Sequence, residues 1–196
     1  MNASPPTLPA AAGAVLQFWF GEGPDDVPRK VWFANDAAFD RLCRERFADT
    51  HAAAAAGQLD QWQETPAGAL ALTVVLDQLS RNIYRGTPEA FAQDGRALDI
   101  ARSAVERGFD RQLPPLRRMF LYLPFEHSED RAMQARSVEL FESLRGPDWL
   151  DDAIDYAHRH RDVIERFGRF SHRNAILGRS STAAELEYLA TPGAGF

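Results

Sequence analysis

The residues best suited to chemistry lie in Arg166–Arg179, RFGRFSHRNAILGR, which holds four arginines, one histidine and no acidic residue in a chain of net charge −6. Guanidinium groups bind carboxylates and phosphates through paired, charge-assisted hydrogen bonds. The anion they meet is either a ligand's or one of the protein's own side chains. His172, Arg173 and Asn174 place several donors in consecutive positions. Gly178-Arg179-Ser180-Ser181 leads into a helix start, where free N–H groups and the helix dipole attract anions. Arg169 follows Gly168 between two aromatics, which turns it away from Phe167 and Phe170.

Two other segments are dense in polar residues. In Leu76–Thr87, LDQLSRNIYRGT, Asp77 and Arg81 are four apart and meet on a helix surface, with Gln78, Asn82 and Arg85 following. Either they close a helix end, or Arg81, Asn82 and Arg85 face a cleft with the acid orienting an arginine. In Leu123–Asp130, LPFEHSED, His127 stands among Glu126 and Glu129, which favour its protonated form. It is either bonded to its own helix terminus or available for acid–base work. His160 falls on an apolar stripe, as a core residue or as the lining of a groove. Asp155-x-x-His158 shares one helical face, but the chain has neither a zinc spacing nor the paired Glu-x-x-His set of bridged carboxylate sites. No metal and no cofactor is expected. There is no Gly-x-Ser-x-Gly elbow, phosphate-binding glycine loop or His-Glu-x-x-His.

Composition narrows the partners. Hydrophobic residues make up 45% and charged residues 26%, enough apolar material for a real core. The acidic balance argues against nucleic acid and against an anionic membrane surface. Arginine beside phenylalanine can stack on bases, but the basic patch is short. Cys43 is the only cysteine, so no intrachain disulfide forms, and a reducing, cytoplasmic setting is expected. It sits at helical spacing with Phe39, Leu42 and Phe47, as a small core residue. The N-terminus lacks a signal peptide's basic start and apolar run, and no stretch approaches the ~18 apolar residues of a membrane helix.

Nearly every segment reads as helix, giving an all-α fold of eight to ten helices. A tail over residues 1–9, one helical domain over 10–191 and a tail over 192–196 are expected. Asn35 or Asp36 caps one helix, and Thr65-Pro66 opens another. The ALALTVVL run has strand composition, but its capped start favours a buried helix. Pro124 is expected to end the helix carrying Leu116, Met119, Phe120 and Leu123, and Ser128 to cap the next. After Gly146-Pro147, Trp149, Ala153, Tyr156, His160, Val163 and Phe167 are expected on one buried face, and Thr182–Glu185 forms a capping box.

LDQLSRNIYRGTPEAFAQD (76–94), FLYLPFEHSED (120–130) and HRDVIERFGRFSHRNAILGR (160–179), in that order, resemble the bacterial domain of unknown function 924 family. The resemblance covers most of the chain and implies helix hairpins stacked as in tetratricopeptide-repeat arrays; it brings no activity. It carries over Asp77, Gln78, Arg81, Asn82, Arg85, Asp94, His127, Ser128, Glu129, His160, Gly168, Arg169, His172, Arg173, Asn174 and Arg179. Leu79-Ser80 replaces the family's usual Phe-Pro, Glu126 an apolar residue, and Ser171 a proline.

Together these features predict a polar groove that binds an anionic small molecule or an acidic peptide. Arg81, Asn82, Arg85, His127, Glu129, His160, Arg169, His172, Arg173, Asn174 and Arg179 would line it, with Asp77, Gln78 and Asp94 orienting them. A hydrolase of phosphorylated or carboxylated substrates, with His127 or His160 as general acid or base, is the alternative. An adaptor for other proteins is a third class. Nothing in the sequence fixes the oligomeric state.

Overall fold

A computed structural model describes residues 7–23, 27–32, 34–146 and 148–195. Most of the expected N-terminal tail, Pro147 and Phe196 lie outside the described residues. The described residues are helical throughout, joined by turns, with no strand. They divide into two compact units. The first takes the described residues up to Arg85 together with Glu89–Pro124; the second takes Gly86–Pro88 and the described residues from Phe125 onward.

The first unit is built on α1 (Ala10–Phe20), α2 (Ala37–Ala55), α3 (Pro66–Thr73), α4 (Ser80–Ile83), α5 (Asp94–Glu106) and most of α6 (Pro115–Glu126). Asp36 caps α2, its carboxylate accepting from the N–H groups of Ala38 and Phe39. Thr65 caps α3 with Pro66 in the first turn. The run from Gly68 to Ser80 is buried at every position. Its lack of a polar face marks a central helix, as the sequence predicts. Val74–Leu79 joins α3 to α4 as a π-helical stretch. Around it Thr73 and Ser80 donate their hydroxyls to the carbonyls of Ala69 and Leu76. Trp19, Trp32 and Phe120 pack edge to face and stacked, with centroids 4.7–6.4 Å apart, as the aromatic part of this core.

The second unit holds α7 (Arg131–Glu142), α8 (Asp151–Phe167) and α9 (Ala183–Leu189). α7 and α8 pack against each other. Leu140, Phe141, Ile154, Ala157, Val163, Ile164 and Phe170 are buried. Thr182 and Glu185 form the expected capping box at α9.

Three local expectations are corrected. Pro124 lies inside α6, which continues to Glu126; a proline near a helix end removes one backbone bond without stopping the last turn. Asp130, not Ser128, caps α7 by accepting from the N–H of Met133; Ser128 accepts from Asp130 one step earlier. On α8 the buried face runs through Ile154, Ala157, His160, Val163 and Ile164. Tyr156 is 41% exposed, because the apolar stripe is rotated from the expected one. Trp149 lies in the short 3-10 turn before α8.

Candidate functional site

Each unit carries its own polar network. In the first, the π-helical stretch holds Asp77 fully buried within the apolar helix. Its carboxylate lies 3.0 Å from the Arg81 guanidinium and accepts from Gln78 at 2.6 Å. Arg81 also donates to the Asp77 carbonyl and to both oxygens of Asp94. Burial would lower its pKa, but Asp77 and Asp94 outweigh burial and raise it. The Asp–Arg pair expected from spacing is therefore present, and Asp94 joins it. Arg85 and Asn82 converge instead on Asp40, which accepts from Arg85 at 2.6 and 2.8 Å and from Asn82 at 2.7 Å. Burial opposes ionisation of Asp40, yet these bonds hold its pKa down. Arg44 donates to the Ile83 carbonyl at the end of α4.

The same unit contains a histidine–serine contact that the sequence reading did not single out. His51 and Ser80 are both buried, 2.7 Å apart. Ser80 spends its one hydroxyl hydrogen on the Leu76 carbonyl, so it accepts from His51 Nε2–H. That orientation is structural rather than that of an activated nucleophile.

In the second unit the segments around His127 and Arg169 meet. Glu129 accepts from both terminal nitrogens of Arg179 at 2.7 and 2.9 Å and from the Phe170 N–H at 2.8 Å. Burial works against the Glu129 carboxylate, but Arg179 and the Phe170 amide keep its pKa below the ordinary value. Arg179 continues to the backbone carbonyl of Phe170 and the side-chain amide oxygen of Asn174. Asn174 donates to Ser181 and Glu185. Glu185, 2% exposed, receives two bonds of 2.7 Å from Arg169, with Ser171 and the Thr182 N–H completing its shell. The Arg169 bonds hold its carboxyl far below the usual range. The helix start expected to take an anion thus already uses its Thr182 and Glu185 N–H groups in the capping box.

Four of the predicted arginines, Arg81, Arg85, Arg169 and Arg179, therefore meet carboxylates of the protein itself. Arg173 is buried with its guanidinium 4.5 Å from the Phe170 ring centre. His160 packs edge-on to Phe170 at 5.4 Å, and the His127 and His172 rings stand nearby. His160 Nδ1–H donates to the Tyr156 carbonyl at 2.8 Å. Burial pushes the His160 pKa down to about 2, with His127, Arg173 and His172 acting in the same direction. The Tyr156 hydrogen bond works against that shift, and Glu126 Oε1 lies 3.3 Å from the same nitrogen. Desolvation of the buried ring is the larger effect and favours the neutral form, although the Tyr156 bond favours the charged one.

Sequence reasoning missed Asp40 and Glu185 as partners and Arg166 as a surface group. Asp40 and Glu185 carry local signals, a first-turn acid and a capping-box acid, which gave no hint of partners 42–45 and 11–16 residues away. Arg166 is exposed, 4.7 Å from the Phe167 ring centre and 6.0 Å from that of Tyr188. It borders an open depression lined also by Phe167, Arg169, Thr182, Ala184 and Glu185.

Among the described residues no group of three or more His, Cys, Asp or Glu side chains is placed to hold a metal ion. None of the described helices is long and apolar enough to cross a membrane. The model of a family described as bacterial protein of unknown function, the domain of unknown function 924, matches residues 15–193. The chain belongs to this family. A protein of unknown function from Agrobacterium tumefaciens has a similar solved structure, with 44% identity and a TM-score of 0.82, covering 92% of this chain and 97% of that one. No match was found among the curated proteins.

Proposed function

We propose that the protein is a binding protein for acidic ligands, received on the Arg166–Arg169 side of the second unit. The observation that supports this most is Arg166. It is exposed, held against Phe167 and Tyr188, and has no ion-pair partner among the described residues. A carboxylate or phosphate over it would gain charge-assisted hydrogen bonds without displacing a protein carboxylate. Arg169 forms the neighbouring wall with its charge met by Glu185. In this reading Glu129, Asn174, Arg179, Arg173 and the three imidazoles of His127, His160 and His172 hold the wall in place. Arg85, its side chain 39% exposed, marks a second polar station in the first unit with Arg81 and Asn82, oriented by Asp77, Gln78 and Asp94. A cytoplasmic setting and a tetratricopeptide-repeat-like arrangement of helix hairpins go with the proposal.

Binding is preferred to hydrolysis because a histidine of pKa about 2 is too weak a base for neutral-pH proton transfer. His127 is then the residue on which the hydrolase reading depends, and a substrate screen comparing wild type with His127→Ala tests it. For binding, isothermal titration with inorganic phosphate and a glutamate-rich peptide is the direct test. Arg166→Ala should weaken either ligand by roughly 10-fold or more, the range for one charge-assisted contact. Equal affinity in wild type and variant would remove the site.

A further inference from the structure

We infer that the acidic partner of this face is a second copy of this chain, with Arg166 of each copy meeting Glu187 of the other across the exposed side of α9. The inference rests on Arg166 being open to an acid, as in the binding proposal above, and names that acid.

The surface is set by α9. Ala183, Leu186, Glu187 and Ala190 follow the i, i+3, i+4, i+7 spacing that places residues on one side of a helix, and all four are exposed. Leu186, at 58%, is the most exposed large apolar side chain of the described residues. On the inner side of the same helix Glu185 is buried, and Tyr188 and Leu189 are half-buried. The solvent side of α9 is thus apolar apart from one acid, which fits a helix covered by a further surface.

Charge decides what covers it. Glu187 is exposed and has no ion-pair partner among the described residues, and the same holds for Arg166. The two stand in one neighbourhood. Arg166 borders a depression with Ala184 and lies 6.0 Å from the Tyr188 ring centre, while Glu187 is three residues from Ala184 on α9 and next to Tyr188. Other acids nearby are answered within the chain: Asp162 accepts from Arg161 at 2.8 Å, Glu165 stands 3.6 Å from Arg161, and Glu185 is matched by Arg169. An unrelated acidic partner would answer Arg166 but set its acids against Glu187. A second copy answers both, because in a two-fold contact residue i meets j and j meets i. Leu186 then lies between the two ion pairs. The contact is small, since α9 has seven residues, so the dimer is weak and depends on concentration.

The test is sedimentation equilibrium on the full chain, for wild type, Arg166→Glu, Glu187→Arg, the double variant and an equimolar mixture of the two single variants. Wild type should pass from monomer to dimer as concentration rises. Each single reversal should weaken the dimer by about 10-fold or more, because it acts twice in a two-fold contact. The double variant and the mixture should each recover the dimer, the mixture as a pair of unlike chains, a recovery that misfolded variants would not show. Leu186→Ser should weaken the dimer with the circular dichroism unchanged. Excess glutamate-rich peptide should shift wild type toward monomer. A wild type that stays monomeric to its solubility limit, or a dimer indifferent to both reversals, overturns the inference and leaves the Arg166 site to its own titration with phosphate and peptide. Loss of the dimer in both single variants without recovery in the mixture also overturns the pairing, as does a dimer that persists in saturating peptide. An Arg166→Glu variant unchanged in dimerisation and in phosphate and peptide binding overturns both readings.

Discussion

At Glu129 two carboxylate oxygens serve three donors, two on Arg179 and one on the Phe170 backbone. Glu129→Gln removes the charge and leaves a partly buried guanidinium without its main acceptor. The expected loss is roughly 1–3 kcal/mol in urea unfolding at pH 7, discounted from a fully buried pair because the side chains are about a quarter exposed. Because the Glu129 pKa is lowered by folding, that contribution is present above the unfolded carboxylate pKa and fades as pH falls below it. His160 acts at higher pH. Its folded pKa of about 2 lies below the ordinary histidine value, so the unfolded chain takes up the proton first. Stability from the neutral ring is full above about pH 6.5 and declines as pH drops, by roughly 2 kcal/mol at pH 5. His160→Gln should flatten the stability profile between pH 7 and 5; an unchanged slope would contradict a neutral buried ring. Cys43 makes a third residue-scale case, since burial pushes its thiol up to about 12, with Asp40 adding to the effect. It should resist thiol-modifying reagents in the native protein and react once guanidinium chloride unfolds it. The sequence marked Glu129, Arg179 and His160 by type, but it could not pair Glu129 with Arg179, because that contact spans 50 residues.

Among the elements, the helix ends were legible where one side chain reaches one nearby backbone group. Asp36, Thr65 and the Thr182–Glu185 box show this. Less was legible where the outcome depends on packing. The face of α8 turned out rotated, with Ile154 and Ala157 inside and Tyr156 outside, because what buries it is α7 and the rest of its unit. The π-helical stretch at Val74–Leu79 left no sequence signature, its VVLDQL being an apolar run interrupted by Asp77 and Gln78. Two glycines separate backbone conformation from space. Gly168 ends α8 in the left-handed region at φ 71°, and an added Cβ there meets nothing within 4 Å. Gly168→Ala should cost only the conformational penalty, about 1–2 kcal/mol. At Gly68, in α3, a Cβ would come within 2.1 Å of the Trp62 carbonyl oxygen and 2.9 Å of Thr65 Oγ1. Gly68→Ala should therefore lower the thermal midpoint by more than Gly168→Ala, although alanine favours helices. The reverse order in calorimetry would contradict the close approach described for α3.

For the whole molecule, the chain invests its arginines in holding carboxylates of its own, and the local charge reversal in 166–179 is largely consumed internally. This explains why composition and clustering alone pointed to an anion site more strongly than the geometry does. The proposed binding surface is the Arg166 side of the second unit, with aromatic rings beneath the charge. Side-chain nitrogen spectra report on this directly. The arginine Nε–H signals of ¹⁵N-labelled protein can be followed while the glutamate-rich peptide is added. The account predicts a saturable shift at Arg166, with Arg81 and Arg179, already bound to carboxylates, unmoved. Shifts confined to Arg81 and Arg85, or none at saturating peptide, would contradict it.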